Sequence, residues 1–157
     1  MYIQREIEKT IKPLFKQYPV ITVIGPRQSG KTTSLRNIFP KADYVSLEDI
    51  DNREFASQDP RGFLKTHNKV TIIDEVQRVP NLLSYLQTEV DLRNKAGQYV
   101  LSGSQNLLIS EVISQSLAGR SAIIKLLPFS LNELNETDIK KPGFDDYLFT
   151  GFYPRIY

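Results

Sequence analysis

The sequence predicts a three-layer α/β fold, in which helices cover both faces of a five-stranded, mainly parallel sheet. Three observations support this prediction. Short β-branched runs alternate with segments of helical periodicity, and the connections between them are short. Of the 157 residues, 40% are hydrophobic and 24% are charged, as in one ordinary domain. Cysteine is absent, so a hydrophobic core rather than disulfides or thiolate metal sites must hold the fold.

Helices are predicted where apolar side chains recur every three or four residues. The first is amphipathic, and its apolar face comprises Ile3, Ile7, Ile11, Leu14 and Phe15. We expect Pro13 to kink or end it. The other helices are Thr32–Phe39, Pro60 to about His67 with Asp59 as N-cap, Pro80 to the stop at Gly97, and Ile109–Leu117. A capping box, Ser130 with Glu133, indicates one more helix start.

Five strands are predicted, at Val20–Ile24, Tyr44–Leu47, Val70–Ile73, Tyr99–Ser102 and Ala122–Leu127. The first is apolar on both faces, which is typical of a buried parallel strand. Helical crossovers between the strands imply parallel, right-handed connections. Ligands of such sheets bind at the carboxyl ends of the strands. We therefore expect every candidate site residue to lie at that edge.

The segment after the first strand has the Walker A pattern of a phosphate-binding loop. It reads Gly-Pro-Arg-Gln-Ser-Gly-Lys-Thr and lies between a strand and a helix, the context that this pattern requires. Glycines let N–H groups point at a phosphate, the helix adds its positive end, and Lys31 reaches the β and γ phosphates. The predicted nucleotide contacts are Gly25, Pro26, Arg27, Gln28, Ser29, Gly30, Lys31, Thr32 and Thr33. A plain glycine turn with a solvated lysine is the alternative.

Asp74 and Glu75 follow the apolar strand at Val70–Ile73 and predict the Walker B half of the site. Asp74 would hold Mg²⁺ through water, and the hydroxyl of Thr32 would be a second ligand. Glu75 would orient and deprotonate the attacking water, the step that makes a hydrolase. An acidic pair at this position could instead cap the following helix.

Ser104 and Arg120 are further candidates. Ser104 ends the fourth strand, where a hydroxyl could sense the γ phosphate or the attacking water, although small polar residues also occur at turns for local reasons. Arg120 lies at a helix end before the fifth strand. It could serve as an arginine finger for a neighbouring subunit, or it could be a solvated arginine that stabilises the helix C-terminus.

Charge and composition exclude several classes of function. Lys and Arg number 20 against 18 Asp and Glu, without a basic run, so composition names no polyanionic partner. A His-based metal site or a Ser-His-Asp triad would depend on His67 alone. The charged N-terminus does not resemble a signal peptide, and no segment approaches the roughly 18 apolar residues of a membrane span. We expect a cytoplasmic protein without a membrane partner.

Taken together, these motifs resemble the core of an AAA+ ATPase, one of the P-loop NTPases. A bacterial and archaeal group carries similar sequences, here Gly25–Thr33 and the Asp-Glu-Val-Gln-Arg-Val-Pro segment Asp74–Pro80. The resemblance implies an ATP-binding core over 19–135 with the strand order 5-1-4-3-2, and with the helix of 1–18 packed on it. In that group a C-terminal domain follows, often entered through a Gly-Gly-Tyr/Phe-Pro sequence that Gly151–Pro154 resembles. Residues 136–157 are therefore expected to begin that region, truncated here.

The resemblance implies Mg²⁺-dependent hydrolysis of ATP that drives or gates an unknown protein or DNA partner. It assigns roles to Lys31, Thr32, Asp74 and Glu75 through their motifs, and it makes Ser104 the first sensor and Arg120 the finger by position alone. Arg120 motivates the further hypothesis that the protein forms a homo-oligomer through its nucleotide sites. No helical domain that could supply a second sensor arginine fits after Pro128. We therefore expect the chain to bind nucleotide without efficient turnover.

Other nucleotide-binding functions fit less well. A GTPase would carry Asn-Lys-x-Asp, and both Asn-Lys dipeptides of this chain lack the Asp. A helicase needs a second motor domain, and a small-molecule kinase usually has an arginine-rich lid that is missing here. From another class, the chain could be a nucleotide-gated interaction module with little intrinsic ATPase activity, in which ATP orders the loops that a protein or DNA partner recognises.

Overall fold

A parallel five-stranded sheet forms the centre of the computed structural model, which describes residues 2–104 and 115–157. Its strands are β1 (Val20–Gly25), β2 (Asp43–Ser46), β3 (Thr71–Asp74), β4 (Tyr99–Ser104) and β5 (Ser121–Lys125). The order is β2-β3-β4-β1-β5, and each pairing between described strands is parallel. The predicted sheet and its strand order are confirmed.

Helices cover both faces of the sheet. They are α1 (Glu8–Phe15), α2 (Lys31–Ile38), α3 (Ile50–Gln58), α4 (Pro60–Thr66), α5 (Leu82–Arg93), α6 (Leu131–Asn135) and α7 (Phe144–Thr150). Short 3₁₀ turns lie at Val76–Arg78 and Pro154–Ile156. The described part of the chain contains no helix with the length and hydrophobicity that crossing a membrane would require.

Alternate residues of the central strands enter two separate hydrophobic clusters. In β4, Val100 packs with residues of α1 and α2, whereas Leu101 packs with residues of α4 and α5. Ile72 and Ile73 of β3 divide in the same way. Because successive side chains of a strand point to opposite faces, strands that are apolar throughout need helices on both sides. This is the three-layer arrangement that the sequence predicts.

Local hydrogen bonds explain several helix ends. The Asp59 carboxylate accepts from Gly62 N at 2.9 Å and caps α4, as predicted. The predicted capping box of α6 is also present, between Ser130 and Glu133. The sequence analysis did not predict α3, in which Ala56 is the buried residue, because this helix has no periodic apolar face. Its cap, Asp49, accepts from Asn52 N at 3.0 Å.

The N-terminal helix is shorter than predicted. It begins at Glu8 rather than Ile3, because Ile3 packs into a third cluster with residues near the C-terminus, Phe129, Leu134 and Tyr147. Pro13 lies inside the helix, which ends two residues later, at Phe15. Ile109, Val112 and Ile113, on which the prediction of a later helix rested, lie outside the described residues.

Candidate functional site

The loop from Gly25 to Lys31 joins the end of β1 to the start of α2, at the carboxyl edge of the sheet. A Cβ atom on Gly25 would lie 2.0 Å from the carbonyl oxygen of Leu126, so no other residue fits there without moving backbone. Gly30 has a φ of 87°, in the left-handed region that glycine adopts readily. The close contact with β5 and the turn into α2 explain the two glycines of the pattern.

Lys31 is 6% exposed and begins α2. Its Nζ donates to the carbonyl oxygens of Gly25 at 3.0 Å and Pro26 at 2.8 Å. Burial lowers the pKa of Lys31, and the nearby carboxylates of Glu75 and Asp74 oppose that shift. The first N–H groups of a helix have no partner within the helix, and Gly30 has no side chain to cap them. The loop therefore offers the donors of an anion site.

Asp74, at the end of β3, is 5% exposed and accepts hydrogen bonds at both carboxylate oxygens. Its Oδ2 accepts from the hydroxyls of Thr32 at 2.7 Å and Tyr44 at 2.9 Å. Its Oδ1 accepts from the hydroxyl of Ser102 and from Glu75 N, the latter at 3.1 Å. Four donors from separate segments therefore hold the carboxylate beside the phosphate loop.

The hydrogen bond to Asp74 also affects Tyr44. Burial, together with this hydrogen bond, raises the pKa of Tyr44 to about 12, so its hydroxyl keeps the proton that it donates at neutral pH. Sequence reasoning did not find Tyr44, because its position in β2 carries no motif. Nor did it assign a contact to Ser102, which it placed at the end of the fourth strand. Both contacts depend on the arrangement of the strands.

Glu75 and Ser104 are joined through Gln77. The Gln77 amide nitrogen donates to the Glu75 carboxylate and, at 3.0 Å, to the hydroxyl of Ser104. A Cβ on Gly103 would lie 2.6 Å from the Gln77 side-chain oxygen, so glycine makes room for this amide. Glu75 has a φ of 57°, an uncommon value for a residue with a side chain. Sequence reasoning assigned no contact to Gln77.

A buried arginine, Arg5, contacts the backbone of the phosphate loop. Arg5, 3% exposed, lies in the N-terminal segment and pairs through Nε with Glu133 of α6 at 3.0 Å. Its guanidinium also donates to the carbonyl oxygens of Ser29 at 2.9 Å and Leu127 at 2.7 Å. Arg5 thus links the loop, the end of β5 and α6. No motif pointed to Arg5, because its partners are distant in sequence.

A cavity of about 710 Å³ opens beside the phosphate loop. Lys31, Thr32 and Glu75 are among the residues that line it. Tyr2 of the N-terminal segment and Arg155 of the C-terminal turn line it as well. The predicted contact residues Arg27, Gln28, Gly30 and Thr33 also face this space, whereas Gly25, Pro26 and Ser29 are not among the residues that line it.

Arg120 is the predicted residue that the structure places elsewhere. Its carbonyl oxygen accepts from Val20 N at 3.1 Å, at the start of β1, so it lies at the amino edge of the sheet. The expectation that every candidate lies at the carboxyl edge is therefore wrong for Arg120, because a residue that precedes a parallel strand must lie at the opposite edge. Its guanidinium pairs with Asp91 through two hydrogen bonds, of 2.6 and 2.8 Å.

The sequence matches the AAA domain family over residues 17–135. It is also 27% identical over 137 residues to the uncharacterized proteins Rv2008c of Mycobacterium tuberculosis and Mb2031c of Mycobacterium bovis. Each of these matches covers 85% of this chain and 31% of the relative. The chain therefore spans about a third of the length of the curated relatives that it matches.

Solved structures with the same fold include two that are named as ATPases. A Walker-type ATPase of Pyrococcus abyssi has a TM-score of 0.58 at 15% identity, over 85% of this chain and 57% of that one. A signal transduction ATPase with numerous domains and a tetratricopeptide repeat sensor, from Pyrococcus horikoshii, has a TM-score of 0.58 at 16% identity, over 98% and 28%. The T158V variant of RuvB from Thermotoga maritima has a TM-score of 0.52 at 21% identity, over 85% and 49%. At these identities the likeness shows the P-loop NTPase fold alone.

Proposed function

This chain belongs to the AAA domain family, and from that premise we propose that it binds ATP with Mg²⁺ and hydrolyses the ATP to ADP and phosphate. One observation carries the proposal: the Thr32 hydroxyl, next to Lys31, lies 2.7 Å from the buried carboxylate of Asp74. A turn that only joined a strand to a helix would not need a buried lysine and a buried aspartate side by side. Phosphate and metal chemistry do need them.

The loop supplies the phosphate contacts in this proposal. Backbone N–H groups at the start of α2 and the ammonium of Lys31 are the donors that bind the β and γ phosphates. The Lys31 ammonium has three donors, of which two contact the Gly25 and Pro26 carbonyls. An incoming phosphate would take up the third and compete with these carbonyls for the others.

Thr32 and Asp74 fit Mg²⁺ by their chemistry. Both offer hard oxygen ligands, and they are already in contact. Mg²⁺ is usually held by one or two carboxylates together with water and substrate phosphates, which agrees with the finding that no group of three or more His, Cys, Asp or Glu ligands occurs in the described ranges. When bound, the ion neutralises charge on the phosphates.

Glu75 is the general base in this proposal. Its carboxylate lines the cavity, and Gln77 donates to the Oε2 oxygen. In this proposal the Oε1 oxygen, which makes no hydrogen bond within residues 2–104 and 115–157, accepts a proton from the attacking water. The shared Gln77 contact lets Ser104 act on the position of Glu75, rather than as an independent sensor.

We also propose that residues 19–135 form the ATP-binding core, that 1–18 pack on it, and that 136–157 begin a C-terminal region. Homo-oligomers through the nucleotide sites, with Arg120 as a finger, belong to the proposal for the longer protein. The Arg120–Asp91 pair favours a second candidate function for this chain. With its guanidinium bound to its own chain, the protein would act as a nucleotide-gated module for a protein or DNA partner, with little turnover.

Calorimetric titration of this chain with Mg-ATP tests the binding. We expect saturable binding that Lys31→Ala abolishes and that Lys65→Ala, at an exposed lysine of α4, leaves intact. Titration with Mg-GTP tests the preference for adenine. Equal, weak heats for both lysine variants and the unaltered chain would show that the loop is only a structural turn.

Phosphate release in the same preparations separates hydrolysis from binding. If the longer protein hydrolyses ATP, Glu75→Gln should retain nucleotide affinity and lower phosphate release by about a hundredfold or more, the effect of losing a general base. Unchanged release would show that Glu75 is not the base. Binding without release in the unaltered protein would instead support the gated module. A salt-dependent shift with duplex DNA would identify DNA as its partner.

A further inference from the structure

The C-terminal turn at Pro154–Ile156 rests on the phosphate loop. The Pro154 Cγ atom lies 3.3 Å from the position that a Cβ on Gly30 would occupy. Gly30 therefore combines a left-handed backbone with a close contact to Pro154, which is distant in sequence. A side chain at position 30 would push the turn away. Loop and turn form one surface.

The turn is held in place by contacts within the C-terminal segment. Phe129 N donates to the carbonyl oxygen of Phe152 at 2.8 Å, and the Phe152 ring stacks on Tyr147 with a centroid distance of 5.9 Å. The Tyr157 hydroxyl donates to the carbonyl oxygen of Gly151 at 2.9 Å. The backbone that carries residue 155 is thus positioned before any ligand binds, which lowers the entropy cost of a contact.

Arg155 stands on this turn and lines the same cavity as Lys31. Unlike Arg5, whose guanidinium is bonded to protein atoms, the Arg155 guanidinium makes no hydrogen bond or ion pair within the described part of the chain. Arg27, on the phosphate loop, faces the cavity as well. An unpaired guanidinium beside a phosphate-binding loop is suited to an oxyanion, which it contacts in a bidentate fashion.

We propose that Arg155 binds the polyphosphate of the nucleotide, so that the C-terminal turn is part of the nucleotide site. The inference rests on the proposed function and assigns to that site a residue outside the phosphate loop and the Asp74 strand. Glu48 and Glu75 place negative charge on the same cavity, and a further cation offsets their repulsion of the phosphates.

The test is calorimetric titration of the full 157-residue chain with Mg-ATP and Mg-ADP. We expect Arg155→Gln to weaken both affinities by about tenfold, the effect of losing one charge-assisted hydrogen bond, and Arg155→Lys to lie between Gln and Arg. Lys140→Gln is the matched control, an exposed cation of the same segment that does not line the cavity, and it should bind as the unaltered chain does. Phenylglyoxal labelling needs no variant: Mg-ATP should protect Arg155 and leave Arg61 of α4 reactive.

The outcomes separate the two proposals. The inference about Arg155 is overturned if Arg155→Gln binds Mg-ATP with unchanged affinity and Mg-ATP does not protect Arg155 of the unaltered chain from labelling. The proposed function still stands in that case, provided that the unaltered chain binds Mg-ATP and Lys31→Ala does not. If the unaltered chain binds no nucleotide, both are overturned. An equal loss of affinity in Lys140→Gln and Arg155→Gln would show a general effect of charge, and it would also overturn the inference about Arg155.

Discussion

Two arginine–carboxylate pairs lie at opposite edges of the sheet, and they differ in burial. At the carboxyl edge, the side chains of Arg5 and Glu133 are 3% and 5% exposed, and Arg5 also donates to three backbone carbonyls. At the amino edge, the side chains of Arg120 and Asp91 are 31% and 49% exposed. The exposed pair has the shorter contact, 2.6 Å against 3.0 Å for the buried one.

Distance is therefore a poor guide to what each pair contributes. An exposed pair competes with water and contributes little to stability. A buried pair is costly to break, because one charge is left without a partner in a medium of low polarity. The buried polar groups also cluster where the cavity lies: Asp74 and Lys31 share the edge of Arg5. The geometry of the carboxyl edge is thus fixed by buried contacts, whereas at the amino edge an exposed carboxylate of the same chain holds the guanidinium.

The largest expected effect is that of Arg5→Gln. It leaves Glu133 buried without its cation and removes the support of the Ser29 carbonyl, so we expect the free energy of unfolding to fall by about 3–5 kcal/mol. Urea denaturation followed by circular dichroism measures this loss. The double variant with Glu133→Gln should recover part of it, because no unpaired charge remains. If Arg5→Gln lowers the free energy of unfolding no more than the loss of an exposed ion pair does, the contrast between the two pairs is wrong.

Asp74→Asn comes next at the same edge. An amide offers only one acceptor oxygen where the carboxylate accepts from Thr32, Tyr44, Ser102 and Glu75 N, and its NH₂ group faces two of these donors. We expect a loss of about 1–3 kcal/mol, measured by the same denaturation. Asp43→Asn in β2 is the control, since its exposed carboxylate has no such set of donors. Equal midpoints for both variants would contradict the role of the network.

Arg120→Gln should give no measurable change in the denaturation midpoint of this chain, because solvent replaces the contacts with Asp91. Mg-ATP affinity should also stay unchanged, since Arg120 lies at the edge remote from the cavity. If the longer protein assembles through Arg120, turnover should fall at protein concentrations that favour assembly. A large fall in the stability of the isolated chain would contradict the contrast between the edges.

The smallest effect concerns His67, which follows α4 and contacts the Phe63 ring at a centroid distance of 4.6 Å. Burial lowers its pKa, and the carboxylate of Asp43 partly opposes this shift. The unfolded chain therefore binds the proton more readily, so stability is lost as pH falls below the ordinary histidine value of about 6.5 toward the folded-state pKa. When the pH is lowered from 7.5 to 5.5, the thermal midpoint of the unaltered chain should fall slightly more than that of His67→Gln. Parallel curves would show that His67 does not contribute.

Much of the fold followed from local patterns. Apolar runs of strand length located the five strands, and the resemblance of the motifs to an ATPase core supplied their order. Helix α3 was not predicted, because a helix with one buried residue has no apolar periodicity. The start of α1 was predicted too early, because Ile3 fits the helical spacing but packs with residues of the C-terminal segment.

The sequence by itself determined the phosphate loop, because its function depends on consecutive residues: two glycines, a lysine and a hydroxyl between a strand and a helix. It likewise located Asp74 and Glu75 at a strand end. Only the tertiary structure decided what surrounds them. Tyr44 and Ser102 reach Asp74 across neighbouring strands, and Arg5 meets Glu133 across 128 residues of chain. Such contacts depend on strand order and packing, which bring together residues whose sequence positions carry no common pattern.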